Sequence, residues 1–299
     1  MVTAAPIAAR AAPHPLAYAR DLVLLAKPRL SGLVVTTAAG GMFLAPGRIG
    51  AARAVLSVAG TAAVVGAANA LNNYLEREVD ARMRRTRDRP LPAGRVEPVV
   101  ALLLGLAVPA FAIPMLALVA SPLTALLALA ALVTYVAVYT PMKQRSTLAL
   151  FVGAVPGAIP PLMGWTAVTG RADAGGLALF ALLFCWQLPH FLAISIYLKD
   201  DYARGGLRVF ALVHGDAVTQ RWIAATAVLL VPVSLLPVPL HLAGAAYAVA
   251  ALAAGAALAA YAVAGAVRGG AAGHWARNLF LATLLHLTVL FAVLFAAGR

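Results

Sequence analysis

The chain has 299 residues, of which 63% are hydrophobic and only 11% are charged, and its mean hydropathy is +0.91. A typical soluble domain carries about 25% charged residues, so this composition excludes an ordinary soluble protein. The formal net charge is +13, but the basic residues lie in short segments between apolar runs. We therefore expect no nucleic-acid partner.

Apolar runs long enough to cross a bilayer recur along the chain, and a transmembrane helix needs about 20 such residues. They predict an all-α polytopic membrane protein, a bundle of nine transmembrane helices in a lipid bilayer. The predicted spans cover residues 28–46, 51–76, 97–119, 122–141, 147–168, 175–198, 221–241, 243–266 and 276–297. Residues 1–20 are predicted to be a disordered tail, and residues 21–299 a single intramembrane domain.

Lys and Arg are distributed unequally between the two ends of these spans. If the N-terminus is cytoplasmic, 19 of the 23 Lys and Arg residues fall on the cytoplasmic side. The positive-inside rule therefore predicts a cytoplasmic N-terminus and a C-terminus outside. Nine of the ten acids fall on the same side, mostly in or beside the long loops Arg77–Glu97 and Lys199–Arg221, which predicts a polar working surface there.

The end of the second span carries three oxygen-bearing side chains at intervals of four residues. On an α-helix, Asn72, Glu76 and Asp80 would form one polar stripe. Charged groups in a span usually face a polar cavity, and such oxygens suit Mg²⁺, which takes further oxygens from water or phosphate. The alternative is a solvated helix end whose acids pair with Arg77 and Arg84.

A second polar segment ends the sixth span. In it, Asp201 follows Tyr197 by one helical turn, and Arg204 comes three residues later. Two acidic helix ends on one face of the membrane could each hold a metal, and one diphosphate could bridge the two metals. Such an arrangement would stabilise the charge of a departing pyrophosphate.

Basic and phenolic groups near these acids could contact the phosphates. At the inner end of span four, Lys143 could reach a phosphate oxygen, and Tyr139 could bond the ester or stabilise an allylic cation. The simpler interpretation is an interfacial tyrosine and a lysine that extends to the headgroups. Arg85 and Arg89, after span two, carry guanidinium groups that suit phosphate better than an ammonium does.

Taken together in their order and spacing, these motifs resemble the UbiA-type intramembrane prenyltransferases. The matching blocks are Asn72-x3-Glu76-x3-Asp80, Arg85-Thr86-x2-Arg89-Pro90-Leu91, Tyr139-x3-Lys143, Gly157 to Trp165, and Trp186-Gln187-Leu188-Pro189-His190-Phe191 through Arg204-Gly205-Gly206. The resemblance covers roughly residues 20–295. Within the superfamily, the blocks from Tyr139 onward are similar to those of the heme-farnesylating branch, the heme O synthases.

This resemblance implies Mg²⁺-dependent ionisation of farnesyl diphosphate, capture of the farnesyl cation by a vinyl group of heme b, and addition of water to give heme O. The residues implied as metal ligands are Asn72, Glu76, Asp80 and Asp201. Those implied as catalytic are Tyr139, Lys143, Tyr197 and Asp201, and those implied to bind diphosphate are Arg85, Arg89, Lys143 and Arg204. The resemblance also implies a plasma-membrane enzyme whose site faces the cytoplasm, with a downstream heme A synthase as a candidate partner.

The chain departs from the superfamily pattern at two points. Many relatives have Asp where this chain has Glu76, which keeps the carboxylate but lengthens its reach. The second acidic motif is reduced to Tyr197-x3-Asp201, as is typical of the heme branch. These departures leave the geometry of the first metal site and the completeness of a second one open.

His190 bears on the acceptor, because a neutral imidazole is a natural axial ligand of heme iron. It lies inside span six directly after Pro189, and the alternative is a hydrogen bond to a neighbouring helix. His286, in the middle of the last span, is a weaker candidate for the same role.

Three other functions stay open at this stage. One is prenyl transfer to another acceptor, such as 4-hydroxybenzoate or a chlorophyllide, which the Pro189-His190 block and the short second motif disfavour. A second is a transporter, since intramembrane prolines and polar helix ends also fit one, although its charges would be expected near the bilayer midplane. The third is a structural assembly factor, which would not need a carboxylate stripe in helical register.

Overall fold

The computed structural model describes residues 15–269 and 272–296, and every regular element within these ranges is helical. Among the described helices, eight are long and apolar enough to cross a membrane, or nine if one bent pair counts as a single span. The predicted all-α membrane bundle is confirmed. The orientation of its termini stays a prediction, so we call the end that carries the long polar loops the polar end.

The first part of the chain contains α1 (Pro15–Leu25), α2 (Pro28–Leu44), α3 (Ala51–Arg82), α4 (Pro98–Val119), α5 (Pro122–Val133), a π-helix (Thr134–Tyr139), α6 (Thr140–Met142) and α7 (Ala149–Thr169). Prolines at the first positions of α2, α4 and α5 favour helix initiation, because the amide they lack would have no partner there. Ser121 caps α5 by accepting a 3.1 Å hydrogen bond from the Thr124 amide.

The second part contains α8 (Ala174–Tyr197), α9 (Lys199–Gly205), α10 (Phe210–His214), α11 (Asp216–Ser234), α12 (Ala245–Arg268) and α13 (Ala272–Ala296). Helices α2, α3 and α5 pack around α7, and α4 packs on α3 and α5. Helix α8 packs against α11 and α13, which both contact α12. Packing of α7 against α8 joins these two groups. The short α9 and α10 cross the polar end between α8 and α11, and α9 contacts α3.

The N-terminal end differs from the sequence prediction. A helix occupies Pro15–Leu25, so the predicted boundary of a disordered tail at residue 20 lies inside α1. Residues 1–14 are outside the described residues, and the tail stays a prediction for them. Helices α1 and α2 meet at a 49° bend, where Lys27 has a left-handed φ of 50° just before Pro28.

Helix α7 is the most buried of the described spans, and two glycines let α2 approach it closely. A Cβ atom on Gly41 of α2 would overlap the backbone carbonyl of Pro161, and one on Gly164 of α7 would overlap that of Ala38. Small residues at such crossings let membrane helices gain dispersion energy from backbone contact. Gly41 and Gly164 therefore allow the backbones of α2 and α7 to come into direct contact.

Three prolines interrupt the hydrogen-bond ladder of α7, and a side chain of α8 binds the same stretch of this helix. The Gln187 side chain of α8 donates a 3.0 Å hydrogen bond to the carbonyl oxygen of Ala154. Gly157 makes room for it, since a Cβ there would overlap the Gln187 amide. In an apolar environment a polar group of this kind must be satisfied internally, so Gln187 couples α8 to the proline-rich part of α7.

We expect Gly41→Ala to lower the melting temperature of the purified protein, because the added methyl group must push α2 away from α7. Overpacking a tight contact costs about 1–3 kcal/mol. Gly32→Ala on the same helix is the matched control, since a Cβ there meets nothing within 4 Å. Equal melting temperatures for the two variants would contradict the close α2–α7 packing.

Candidate active site

The polar stripe predicted from the sequence exists and is buried. Helix α3 extends to Arg82, so Asn72, Glu76 and Asp80 all lie on one continuous helix. Their exposed fractions are 1%, 6% and 1%. A solvated helix end would expose these side chains, and that alternative is therefore wrong. Buried carboxylates near a bilayer need partners, and other elements supply them.

Each of the three stripe side chains has a cation or an amide as a partner. The Lys143 ammonium forms an ion pair with Glu76, and Arg89 Nη1 lies 2.6 Å from Asp80 Oδ2. The Asn72 amide nitrogen donates to Glu76 Oε2 at 2.9 Å. Two bases that the sequence assigned to the diphosphate therefore contact the acids that it assigned to the metal.

Lys27 completes this cluster and was not predicted from the sequence. Its ammonium donates a 2.6 Å hydrogen bond to Asn72 Oδ1. The α1–α2 bend holds it there, because Asn73 Nδ2 donates to the Leu25 carbonyl at 2.9 Å and Asn69 Nδ2 donates to the Ala26 carbonyl at 3.3 Å. A lysine followed by proline at the start of an apolar run was the only sequence signal for this position.

Tyr139 and Lys143 come from the end of span four, where Tyr139 ends the π-helix and Lys143 follows α6. The extra residue in a π-turn shifts the helical register, and such turns often occur at functional sites. Lys143 Nζ lies 4.8 Å from the Tyr139 ring centroid, so this ring already faces a cation. Burial lowers the pKa of Lys143, but the neighbouring Tyr139 and Glu76 outweigh it and raise that pKa above its ordinary value.

Asp201 joins α9 to the loop that follows α3, and its contacts differ from those of a free carboxylate. Its oxygens accept hydrogen bonds from the backbone amides of Arg84 at 2.8 Å and Arg85 at 3.3 Å. They also accept one from Arg204 at 2.7 Å. Burial alone would raise the pKa of Asp201, but these three donors outweigh it and lower that pKa. Asp201 therefore connects α9 with the loop after α3.

In the part of the chain that the structure describes, the side chains of Arg85 and Tyr197 make no hydrogen bond, ion pair or ring contact with the other residues that the sequence assigned to the site. The Arg85 side chain is exposed and makes no ion pair with any described residue, although its backbone amide binds Asp201. Tyr197 is 40% exposed, and its ring lies 6.4 Å from that of Phe280 on α13. Among the described contacts it has none with the stripe, and it lies instead beside the aromatic group around His190.

His190 lies between α8 and α13 in a group of aromatic rings. Its ring centroid is 4.7 Å from that of Trp186 and 4.6 Å from that of Phe280, and its Nδ1 is 2.8 Å from Thr283 Oγ1. The hydrogen bond to a neighbouring helix that was the alternative interpretation is therefore present. It does not exclude a second contact, because only one ring nitrogen makes it.

The Thr283 hydroxyl lies 2.7 Å from the Phe280 carbonyl and 2.8 Å from His190 Nδ1. A hydroxyl has one hydrogen, so both hydrogen bonds can form together only if His190 donates from Nδ1–H. The neutral ring therefore has its lone pair on Nε2, which no hydrogen bond among the described residues engages. A metal-binding histidine is usually oriented in this way by a bond at its other nitrogen. His286, by contrast, is 3% exposed and neither of its nitrogens has a partner among the described residues.

The oxygen atoms of the stripe can hold a hard cation only if further oxygen ligands complete the coordination of that cation. No group of three or more His, Cys, Asp or Glu residues in the described chain could hold a metal by itself. The stripe supplies two carboxylates and one amide oxygen. Mg²⁺ prefers oxygen ligands and is often bound through one or two carboxylates together with substrate phosphates. These residues therefore fit a metal that arrives with a phosphorylated ligand.

Comparison with known sequences agrees with this arrangement. Residues 33–284 match the model of the UbiA prenyltransferase family. The chain is 72% identical over 298 residues, with 100% of both chains covered, to the protoheme IX farnesyltransferase of Anaeromyxobacter sp. (strain Fw109-5). It is 50% identical over 276 residues, covering 92% of this chain and 94% of the other, to the protein of that name from Myxococcus xanthus (strain DK1622).

Solved structures with the same fold are more distant in sequence. One from work on digeranylgeranylglyceryl phosphate synthase has a TM-score of 0.80 at 13% identity, covering 94% of this chain and 98% of that one. A UbiA homologue from Archaeoglobus fulgidus bound to GPP and Mg²⁺ has a TM-score of 0.61 at 15% identity, covering 92% and 99%. At 13% and 15% sequence identity, the similarity establishes the fold alone.

We expect Asp201→Asn to loosen the loop after α3, because the amide loses its charge-assisted hydrogen bonds. Such bonds contribute about 1.5–3 kcal/mol each, so amide hydrogen exchange at Arg84 and Arg85 should accelerate by about tenfold or more. Asp200→Asn is the matched control, since Asp200 is exposed. Unchanged exchange in Asp201→Asn, measured by mass spectrometry, would remove Asp201 as the residue that holds this loop.

Proposed function

This chain belongs to the UbiA prenyltransferase family, and we propose that it transfers the farnesyl group of farnesyl diphosphate to a vinyl group of protoheme IX. Addition of water then gives heme O, and diphosphate is released. Full-length relatives named protoheme IX farnesyltransferase support this acceptor. The observation that supports the chemistry most directly is the buried oxygen stripe of α3, paired at the polar end with Lys143 and Arg89.

Without substrate, the acids and bases of the site neutralise one another in ion pairs. Substrate binding would give each of these acids and bases a new partner. In each of the pairs Glu76–Lys143, Asp80–Arg89 and Asp201–Arg204, the acid is proposed to face Mg²⁺ and the base to face the diphosphate. A complex of Mg²⁺ with diphosphate can enter between them so that every charge keeps an opposite partner. Mg²⁺ alone would have to displace the bases without replacing them, so we expect it to bind weakly by itself.

Asn72, Glu76 and Asp80 would hold the metal, with Asp201 facing it from α9. When bound there, Mg²⁺ would neutralise the diphosphate and make it a better leaving group. Lys143 stays protonated because the pKa of its ammonium is raised. Together with Arg85, Arg89 and Arg204 it would stabilise the negative charge that develops on the departing oxygen. Lys27, already bonded to Asn72, adds a further donor to this group.

The allylic cation left by this departure needs a partner and protection from water. The Tyr139 ring lies against Gly153 of α7 and accepts the Lys143 ammonium on its face. Once the diphosphate draws Lys143 away, the same π-face can stabilise the farnesyl cation. An apolar bundle around the fifteen-carbon chain would exclude water until the carbon–carbon bond has formed.

His190 would contact the heme acceptor from the second group of helices. Its Nε2 carries the lone pair, and the bond from Nδ1 to Thr283 fixes the ring, so it is oriented to bind heme iron. Phe280 and Tyr197 would provide an aromatic surface for the macrocycle, and the buried Trp186 would support the His190 ring from behind. After the vinyl carbon is alkylated, water would add to the resulting cation and lose a proton.

The location of the reaction follows from the charge distribution. Diphosphate needs charged groups and water, both of which lie at the polar end, whereas farnesyl and heme are largely apolar and can enter from lipid. We assign the polar end to the cytoplasmic side of the plasma membrane on the positive-inside rule. A heme A synthase that oxidises the product would then find it in the same membrane.

We expect Asp80→Asn and Glu76→Gln to lower heme O formation by more than about a hundredfold, because each removes a carboxylate from the proposed metal site. The assay incubates purified protein with heme b, Mg²⁺ and farnesyl diphosphate, and detects the farnesylated heme by mass spectrometry. Glu78→Gln on the same helix is the control, since the Glu78 side chain is 76% exposed. Near-parent turnover in either stripe variant would refute the metal assignment.

We expect His190→Phe to weaken heme binding while leaving farnesyl diphosphate binding unchanged. Phenylalanine keeps the ring packing but removes both nitrogens, so the heme absorption spectrum should lose the contribution of an imidazole ligand. His274→Ala is the control, because His274 is exposed at the start of α13. A spectral titration that gives the parent heme affinity for His190→Phe would remove His190 as a heme ligand.

A further inference from the structure

A small groove at the polar end lies apart from the site described above. It occupies about 180 Å³ between the start of α11, the end of α12 and the start of α13. We define this α11–α13 groove by Gln220, Tyr261, Gly265, Arg268 and Trp275, which line it. None of these residues takes part in the proposed reaction, and the volume is far too small for a heme.

Two polar side chains in the groove lack a partner among the described residues. Gln220 is only 6% exposed, and its amide makes no hydrogen bond in the part of the chain that the structure describes. Gln220 lines the groove, so its amide can reach a ligand there. Arg268 is exposed and has no ion pair with any described residue. An amide and a guanidinium that face one cavity are both hydrogen-bond donors. Together they suit an anion with several acceptor oxygens.

The aromatic residues place this anion at a membrane surface. The Tyr261 and Trp275 rings stack at a centroid distance of 6.4 Å, and the Trp275 indole lies over Gly265, where a Cβ would overlap it. Tyrosine and tryptophan at the ends of spans mark the headgroup level of a bilayer.

We propose that the α11–α13 groove binds the headgroup of an anionic glycerophospholipid such as phosphatidylglycerol. The phosphate would accept hydrogen bonds from Arg268 and the Gln220 amide. The acyl chains would lie along the exposed apolar face of α12, where Val263 and Val267 are 40% and 79% exposed. Basic pockets between membrane helices on the cytoplasmic side commonly bind such lipids. The bound lipid would tie together three helix ends and does not depend on the proposed reaction.

The test measures lipid retention by native mass spectrometry of the purified full chain. The protein is offered equal amounts of phosphatidylglycerol and phosphatidylethanolamine with the same acyl chains. We expect phosphatidylglycerol to be retained preferentially, and Arg268→Gln to weaken its retention by about fivefold, the effect of one basic residue at a lipid surface. Gln220→Leu, which keeps the side-chain volume, should also weaken it.

Arg221→Gln is the matched control, because Arg221 is exposed at the start of α11 but does not line the groove. We expect it to retain phosphatidylglycerol like the parent, and all three variants to keep the parent melting temperature in detergent. Equal retention of the two lipids by the parent protein would overturn the proposal. An equal loss in Arg221→Gln and Arg268→Gln would also overturn it, because it would indicate general charge attraction without a site.

Discussion

The active-site end of this protein depends on one constraint, the burial of two carboxylates and an amide on a single face of α3. Glu76 and Asp80 are almost inaccessible to solvent, and a bare charge there would cost several kcal/mol. The chain meets this cost with cations from separate elements: Lys143 after α6 and Arg89 in the loop after α3. Charge neutrality in the resting state therefore assembles the same groups that the proposed reaction needs.

Because the stripe is buried, the short polar segments around it must also be held in place, and hydrogen bonds hold them. The α1–α2 bend is fixed to α3 by the side chains of Asn69 and Asn73, which bind the carbonyls of Ala26 and Leu25, and this places Lys27 beside the stripe. Asp201 fixes the loop after α3 by accepting from two backbone amides. These contacts let a loop next to water keep a defined geometry while it exchanges partners with a charged substrate.

The acceptor side is built differently, from rings and a single oriented imidazole. His190 is held by Thr283, and Trp186 and Phe280 flank it. This apolar surface would suit a macrocycle, whereas the stripe suits a diphosphate. The division agrees with the packing, because the stripe lies among the helices around α7 and His190 lies where α8 meets α13. Close contact between α7 and α8 joins the two sides.

The sequence by itself determined the membrane bundle, the approximate positions of the spans, and the register of Asn72, Glu76 and Asp80, because hydropathy and helical periodicity are local properties. It also identified Lys143 and Arg89 as neighbours of phosphate chemistry, although not as partners of the acids. Only the tertiary structure decided that Lys27 joins the stripe, that Tyr197 lies with the rings around His190, and which His190 nitrogen has a free lone pair. Each of these depends on a contact between residues distant in the sequence, and no local pattern encodes such a contact.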